Sequence, residues 1–256
     1  MRRIFITGSS DGLGLAAASS LLEQGHEVVL HARTRERAST LGSIASRALA
    51  VVIGDLTSAV ETRKLADQVN AIGRMDAVIH NAGVYAEPQR GNTPEGHART
   101  LAINTLAPYI LTALIDRPDR LVYLSSGLHQ GGGGSLEDID WTARQWSPSQ
   151  AYAETKLHIA ALAAAIGRHW PQVLSNSVDP GWVATKMGGA GAPGNLKTGQ
   201  ETQSWLAASD DSSAKVAGFY WHHRQQRQPS AEVTDIGFQD QLVAKLEELT
   251  GVGLFG

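Results

Sequence analysis

Two side chains that could move a proton stand four positions apart, Tyr152 and Lys156. On a helix, residues i and i+4 share one face, so the phenol and the ammonium group would lie side by side. A nearby ammonium charge favours the phenolate and lowers a pKa that is about 10 in an unperturbed tyrosine. The pair predicts a general acid or base that works near neutral pH. The same spacing is common on ordinary helix surfaces, so the pair alone does not identify a catalytic site.

A glycine-rich segment lies near the start of the chain, with Gly8, Gly12 and Gly14 in the spacing G-x-x-x-G-x-G. It follows an apolar run and opens a helical pattern. Glycines there allow a sharp turn against a pyrophosphate, and the helix N-terminus adds free N–H groups and a partial positive charge. The segment is either a plain strand–helix turn or a dinucleotide site, and its place at the start of a β-α-β series favours the second interpretation.

The residues after the second predicted strand bear on which dinucleotide is bound. Sites for NAD usually have an acidic residue here to hold the ribose 2′-hydroxyl. This chain has Arg33 and Arg35 and no acid. A guanidinium group suits a 2′-phosphate, because its planar fork donates two hydrogen bonds to it. We therefore expect NADP(H) rather than NAD, bound in part through Arg33; the alternative is that both arginines are solvated charges at a helix start.

The elements that must position these groups alternate along the first half of the chain. Short runs rich in valine and isoleucine alternate with helix-length segments, which predicts an α/β protein. We expect a three-layer αβα Rossmann fold with a doubly wound parallel sheet of about seven strands. Strands are predicted at 3–7, 27–31, 48–53, 77–80, 120–124 and 173–178. Helices are predicted at 12–24, 35–45, 58–72, 96–115, 150–169, 199–208 and 238–249.

Composition excludes several classes of protein. The 256 residues carry a net charge of −3, which argues against non-specific electrostatic binding of nucleic acid. The chain has no cysteine, so disulfides, thiolate zinc sites and cysteine nucleophiles are excluded. We see no histidine cluster for a metal, no secretory signal and no membrane-spanning stretch, and we expect a cytoplasmic protein. One domain over 1–256 is expected, with a cofactor half at about 1–125 and a catalytic and substrate-loop half at about 126–256.

Taken together and in order, four motifs resemble the short-chain dehydrogenase/reductase superfamily, in its single-domain, NADP-preferring branch. They are the glycine turn, Asn81-Ala82-Gly83, Ser125-Ser126 and the Tyr152/Lys156 pair. The resemblance implies an NADPH-dependent oxidoreductase that reduces a small-molecule carbonyl, or oxidises the alcohol, by hydride transfer. Ser126 and Tyr152 are 26 residues apart, about twice the usual family interval. The extra segment, 131–147, is similar to that of the retinol dehydrogenase and protochlorophyllide reductase-like subgroup.

The resemblance also implies a role for each matching residue. Asn104 would support a proton-relay water, Ser126 would hold the substrate carbonyl oxygen, and Tyr152 would protonate it. Lys156 would hold the nicotinamide ribose and lower the pKa of Tyr152, and Ser125 stays open as an alternative to Ser126. Cofactor contacts are implied for Gly8, Ser10, Gly12, Leu13, Gly14, Arg33, Asp55, Leu56, Asn81, Ala82, Gly83, Tyr152, Lys156, Pro180, Gly181, Val183 and Thr185.

Other interpretations are kept. One is a redox-sensing regulator that binds NADP(H) with little turnover. Another is a sugar-nucleotide epimerase or dehydratase, although such chains are usually longer, with a larger C-terminal substrate domain. Segment 188–194 is either a surface connection or a mobile lid beside the site, and Trp182 either lines the substrate pocket or packs in the C-terminal half. Finally, a helical face with Ala160, Ala161, Ala163 and Ala164 could join a homodimer or homotetramer, or pack on its own sheet.

Overall fold

The computed structural model describes residues 1–85 and 87–255, and its eight strands form one sheet. The strands are β1 (Arg3–Ile6), β2 (Glu27–Ala32), β3 (Ala50–Ile53), β4 (Ala77–His80), β5 (Arg120–Leu124), β6 (Leu174–Asp179), β7 (Tyr220–His222) and β8 (Gln225–Arg227). Their order is β3-β2-β1-β4-β5-β6-β7-β8; β1 to β7 are parallel, and β8 is antiparallel to β7. Strand order reverses direction between β1 and β4, which opens a crevice at the carboxyl ends. The predicted doubly wound parallel sheet is confirmed.

Helices cover both faces of the sheet. They are α1 (Gly12–Glu23), α2 (Arg35–Ser39), α3 (Ser43–Arg47), α4 (Ala59–Ile72), α5 (Arg99–Leu101), α6 (Ala107–Leu114), α7 (Pro148–His169), α8 (Leu196–Ala208), α9 (Ala231–Thr234) and α10 (Ile236–Thr250). Strand residues alternate between two apolar clusters: Ile4 and Ile6 pack with α1 and α8, and Phe5 packs with α4, α6 and α7. This alternation produces the predicted three layers.

Most helices lie within two residues of their predicted bounds, and three differ by more. The segment predicted as one helix at 35–45 is two short helices, because Gly42 has a φ of 56° and interrupts the right-handed turn. The helix predicted at 96–115 begins at Arg99, and a π-helical turn over Ala102–Leu106 joins α5 to α6. Helix α8 begins three residues earlier than predicted, since the side chain of Asn195 caps it by accepting from the N–H of Thr198.

The extra segment, 131–147, folds against the outer side of α7 and is anchored by an ion pair between a half-buried arginine and a buried glutamate. Arg144 donates to both carboxylate oxygens of Glu154, at 2.8 and 2.5 Å, and the indole of Trp141 donates to the same carboxylate at 3.0 Å. The Arg144 guanidinium stacks over the Trp141 ring at 3.7 Å. Because Glu154 lies between Tyr152 and Lys156 on α7, the insertion supports the helix that carries both.

The alanine face of α7 packs within the chain. Ala160, Ala161 and Ala163 are 1% exposed or less and share a cluster with Leu242 and Leu246 of α10. Three of the four alanines are therefore buried within the chain and Ala164 is partly buried, and the homodimer or homotetramer stays a prediction. Within residues 1–85 and 87–255, no helix combines the length and apolar character needed to cross a membrane.

Candidate active site

The glycine turn between β1 and α1 is tied to the end of β4. The Thr7 hydroxyl accepts hydrogen bonds from the backbone N–H groups of Asn81 and Ala82, each at 3.0 Å, and the amide of Asn81 donates to the Thr7 carbonyl at 3.0 Å. Gly8 has a φ of 63°, and a Cβ there would lie 2.9 Å from the Cα of Ala82. Position 8 therefore needs glycine both for its backbone conformation and for this close approach.

A buried histidine fixes the same turn to the next two strands. The N–H of Gly8 donates to Nδ1 of His31 at 2.9 Å, so Nε2 carries the proton and donates to the Gly54 carbonyl, also at 2.9 Å. Burial lowers the pKa of His31, which keeps the ring neutral and suits both bonds. His31 thus joins the ends of β1, β2 and β3 at the floor of the crevice.

A cavity of about 480 Å³ runs from the glycine turn along the carboxyl ends of the strands to Tyr152 and Lys156. Most of the predicted cofactor residues line it: Gly8, Ser10, Gly12, Leu13, Arg33, Asp55, Leu56, Asn81, Ala82, Gly83, Tyr152, Lys156, Pro180 and Thr185. It is also lined by residues to which the sequence analysis gave no cofactor role: Asp11, His31, Arg37, Val84, Ile103, Leu124, Ser125, Lys186 and Met187. The cavity therefore joins the glycine turn to the Tyr152/Lys156 pair in one continuous space.

Three predicted cofactor residues lie outside this lining, each for a local reason. Gly14 packs beneath the turn, where a Cβ would lie 2.5 Å from the carbonyl oxygen of Gly8. Gly181 takes a φ of 79° in the turn after β6, and Val183 is buried and paired with Gly194 in an isolated bridge. These residues shape the backbone around the cavity rather than its surface. The bridge also folds segment 188–194 back beside the site.

Arg33 and Arg37 face the cavity, whereas Arg35 does not line it. Thr34 begins α2 by accepting the N–H of Arg37, which turns the first helical residue away from the crevice and brings Arg37 towards it. Arg37 reaches the carboxylate of Asp11 at 3.3 Å. Arg33 is exposed and makes no ion pair with the residues that the structure describes. Its guanidinium is thus free to meet an anionic group at the cavity edge.

Tyr152 and Lys156 are almost fully buried, with 7% and 4% of their surfaces exposed. The Lys156 ammonium donates to the Leu124 carbonyl at 2.7 Å and lies 5.5 Å from the centre of the Tyr152 ring. Burial lowers the pKa of Lys156 to about 8 and raises the pKa of Tyr152 to about 12. The sequence predicts that Lys156 lowers the pKa of Tyr152. In the structure, burial of the phenol has the larger effect, because the Lys156 ammonium group is directed at the Leu124 carbonyl. Tyr152 therefore carries its proton at neutral pH.

The two adjacent serines have different environments. The Ser125 hydroxyl is buried and donates to the backbone carbonyl of Lys156 at 2.8 Å, so it fastens α7 to the end of β5. The Ser126 hydroxyl is half-buried, accepts the N–H of Leu128 at 3.2 Å and moderates the rise in the pKa of Tyr152. His129 donates from Nδ1 to the Ser126 carbonyl at 2.7 Å and so holds the backbone at this point.

Asn104 lies in the π-helical turn and acts as a clamp. Its carbonyl oxygen accepts the N–H of Val84 at 2.8 Å, and its amide donates to the Val84 carbonyl and the Thr155 hydroxyl, each at 3.0 Å. A Cβ on Gly83 would lie 3.3 Å from the Asn104 oxygen and 3.5 Å from Nζ of Lys156. Asn104 therefore lies behind the cavity wall, where it locks the segment after β4 to α7.

Comparisons with known proteins agree on one family. A sequence profile of the family described as short chain dehydrogenase matches residues 2–194. Short-chain dehydrogenase chry4 of Gibberella zeae is 41% identical over 257 residues, and the match covers 99% of each chain. Retinol dehydrogenase 13 of Homo sapiens is 24% identical over 283 residues, covering 98% of this chain and 85% of the human protein.

Solved structures match the fold. A putative uncharacterized protein from Mycobacterium paratuberculosis superposes with a TM-score of 0.84 and 25% identity, covering 99% of this chain and 95% of that one. A blue fluorescent protein from a metagenomic library, solved in complex with NADPH, has a TM-score of 0.69 and 21% identity, covering 86% and 95%. In the part of this chain that the structure describes, no group of three or more histidines or acidic residues is arranged to hold a metal ion.

Proposed function

The chain belongs to the short-chain dehydrogenase/reductase superfamily of oxidoreductases, and on that premise we propose that it reduces a small-molecule carbonyl with NADPH, reversibly, by hydride transfer. Membership confirms the resemblance read from the motifs, including relatives of the retinol dehydrogenase kind. The observation that carries the proposal is the single cavity that joins the glycine turn to Tyr152 and Lys156.

The residues around the cavity fit a nicotinamide dinucleotide. Gly8 lets the turn pack closely against Ala82, and Gly8 and Gly12 line the cavity at the N-terminus of α1, where a pyrophosphate would meet backbone N–H groups. Arg33 and Arg37 stand at the cavity edge, next to the end of β2, where a 2′-phosphate would be held. The metagenomic neighbour binds NADPH with the same fold. When bound, the cofactor would supply the hydride, and this arrangement favours NADP(H) over NAD.

Each side chain has a definite task in the proposed reaction. Tyr152 is protonated at neutral pH, so its hydroxyl gives a proton to the carbonyl oxygen as negative charge develops there. Ser126 donates a hydrogen bond to that oxygen and orients it. Lys156, held by the Leu124 carbonyl, presents its ammonium group to the cavity beside Tyr152 and would bind ribose hydroxyls. Asn104 and Ser125 keep α7 and the segment after β4 in register and touch no substrate.

The reverse reaction needs the opposite protonation state. Alcohol oxidation requires a base, and the high pKa of Tyr152 leaves little phenolate at neutral pH. At neutral pH the ligand-free site is therefore in the protonation state that carbonyl reduction needs. An NADP(H)-binding regulator would use the same glycine turn and arginines but would turn over slowly, so measured turnover separates the two functions.

The test combines cofactor binding with turnover. NADPH and NADH affinities are measured by tryptophan fluorescence, and NADPH oxidation is followed with a panel of aldehydes, ketones and quinones. We expect Tyr152→Phe to bind NADPH normally and to lose turnover by about a hundredfold or more. The matched control is Tyr109→Phe, which removes a buried hydroxyl bonded to the Val252 carbonyl, outside the cavity lining. Tight NADPH binding without turnover on any carbonyl would support the regulator instead.

A further inference from the structure

An acidic side chain borders the proposed reaction site on the side away from the cofactor cavity. Asp179 is the last residue of β6, and the N–H of Ser125 donates to the Val178 carbonyl at 2.7 Å, so Asp179 lies beside the serine pair. Burial is the main cause of the raised pKa values of Tyr152 and Tyr220, and the negative charge of Asp179 adds to both. Asp179 therefore borders the segment after β5 that carries Ser126, and its carboxylate is within electrostatic reach of Tyr152.

The contacts of the carboxylate leave it with unused acceptor capacity. Oδ1 accepts the N–H of Gly181 at 2.8 Å, and Oδ2 faces Nδ1 of His222 at 3.3 Å. No lysine or arginine pairs with it among the described residues. The Tyr220 hydroxyl is buried close by and forms no regular hydrogen bond with the described residues, although its interaction with Asp179 contributes to its raised pKa and can occupy one acceptor position. Since a carboxylate can accept about four hydrogen bonds, at least one position stays available to a ligand.

The open side of this carboxylate is bounded by glycine. A Cβ on Gly127, the residue after Ser126, would lie 3.2 Å from Oδ2 of Asp179, so any larger residue would crowd the carboxylate. Exposed apolar side chains come next in sequence, Leu128 after Gly127 and Trp182 after Gly181. A carboxylate acceptor with exposed apolar residues in the neighbouring loops suits a substrate that carries one polar group on an apolar body.

A strained hairpin holds the histidine on the other side. His223 and Arg224 form the two-residue turn between β7 and β8 with φ values of 48° and 59°, in a region that favours glycine or asparagine. Arg224 is held by the Thr202 hydroxyl, by Glu201 and by stacking over Trp205. The strain is thus offset by contacts with α8, and the hairpin fixes His222 against Asp179.

We propose that Asp179 is a specificity-determining residue, which accepts a hydrogen bond from an O–H or N–H donor placed near the carbonyl group of the substrate. Such a donor fills the free acceptor position while the carbonyl oxygen faces Ser126 and Tyr152. The two contacts together would orient one face of the carbonyl towards the cofactor cavity. This inference rests on the proposed carbonyl reduction and narrows its substrate class to hydroxy- or amino-substituted carbonyl compounds.

The experiment compares three aryl ketones that differ in one group of similar size: phenacyl alcohol, phenacylamine and propiophenone. Their kcat/KM values with NADPH are measured for wild type, for Asp179→Asn and for Asp240→Asn, a carboxylate on the surface of α10. Asparagine keeps an oxygen for the N–H of Gly181, so the turn after β6 is preserved. Affinities of the three ketones for the enzyme saturated with NADP⁺ are measured by tryptophan fluorescence, which does not depend on turnover.

In wild type and Asp240→Asn we expect both donor-bearing ketones to be favoured over propiophenone. In Asp179→Asn that preference should fall about tenfold or more, and further for the ammonium compound than for the alcohol. A change by the same factor for all three ketones, or no change, overturns the proposal. If no ketone is reduced, the proposed function fails; the inference then stands only if the affinity preference is present in wild type and lost in Asp179→Asn.

Discussion

In the proposed reaction, Arg33 is the residue on which we expect the cofactor preference to depend most directly. It is exposed at the cavity edge and makes no ion pair with the described residues, so replacing it disturbs no other contact. A guanidinium at about 4 Å from a phosphate of charge near −2 gains roughly 2 kcal/mol in a solvent-exposed setting. That energy corresponds to about a thirtyfold change in affinity. We expect Arg33→Ser to raise the Kd for NADPH by about this factor and to leave the Kd for NADH unchanged.

The matched control is Arg35→Ser, which removes the same charge two residues further on, from a side chain outside the cavity lining. Titrations at low and high salt add a second readout, because screening weakens a charge contact at an exposed site. Wild-type affinity for NADPH should fall with salt more steeply than that of Arg33→Ser. Equal effects of the two substitutions, or an equal loss of NADH binding, would refute the assignment of Arg33 to the 2′-phosphate.

Three further predictions concern the turn, the lysine and the insertion. Gly8→Ala should abolish NADPH binding. Gly25 has a φ of 81° and nothing within 4 Å of a Cβ, so Gly25→Ala should lower only the stability. Equal effects of the two substitutions on binding would contradict the proposed pyrophosphate site at the glycine turn. Burial lowers the pKa of Lys156 to about 8, so above pH 8 the unfolded chain binds more protons than the folded one. The free energy of unfolding should therefore rise by about 1.5 kcal/mol between pH 8 and roughly pH 9.5 in wild type. Denaturant titrations of Lys156→Met should show no such rise. Glu154→Gln should lose about 2 kcal/mol of stability through its bonds to Arg144 and Trp141, and an unchanged Tm would argue against the anchoring of the insertion.

The sequence predicted best what local pattern determines. The apolar runs identified β1 to β6, and the motifs at their carboxyl ends were bound to meet, since parallel strands end at one edge of a sheet. Glycine spacing located the turn, and the i, i+4 rule placed Tyr152 and Lys156 on one face of α7. These features brought fourteen predicted residues to one cavity.

What the sequence missed depends on register and side-chain direction. Arg37 rather than Arg35 faces the cavity because Thr34 caps α2, which fixes how the helix turns. Asp179 lies beside His222 because β6 pairs with β7. The two strands are about forty residues apart, and no local sequence motif predicts their register. The β7–β8 hairpin lacks the glycine or asparagine that signals such a turn. The pKa of Tyr152 depends on burial, which spacing alone does not give.

The most direct test of the proposed hydride transfer follows deuterium from NADPH to the product. The enzyme is given NADPH deuterated at the transferable position of the nicotinamide, together with a ketone from the panel, and the alcohol product is analysed by mass spectrometry. If hydride passes from NADPH to the carbonyl carbon, we expect one deuterium at the new carbinol carbon with wild type. With Tyr152→Phe we expect labelled product to be lost although NADPH still binds. Unlabelled alcohol, or labelled alcohol formed equally fast by Tyr152→Phe, would contradict the proposed mechanism.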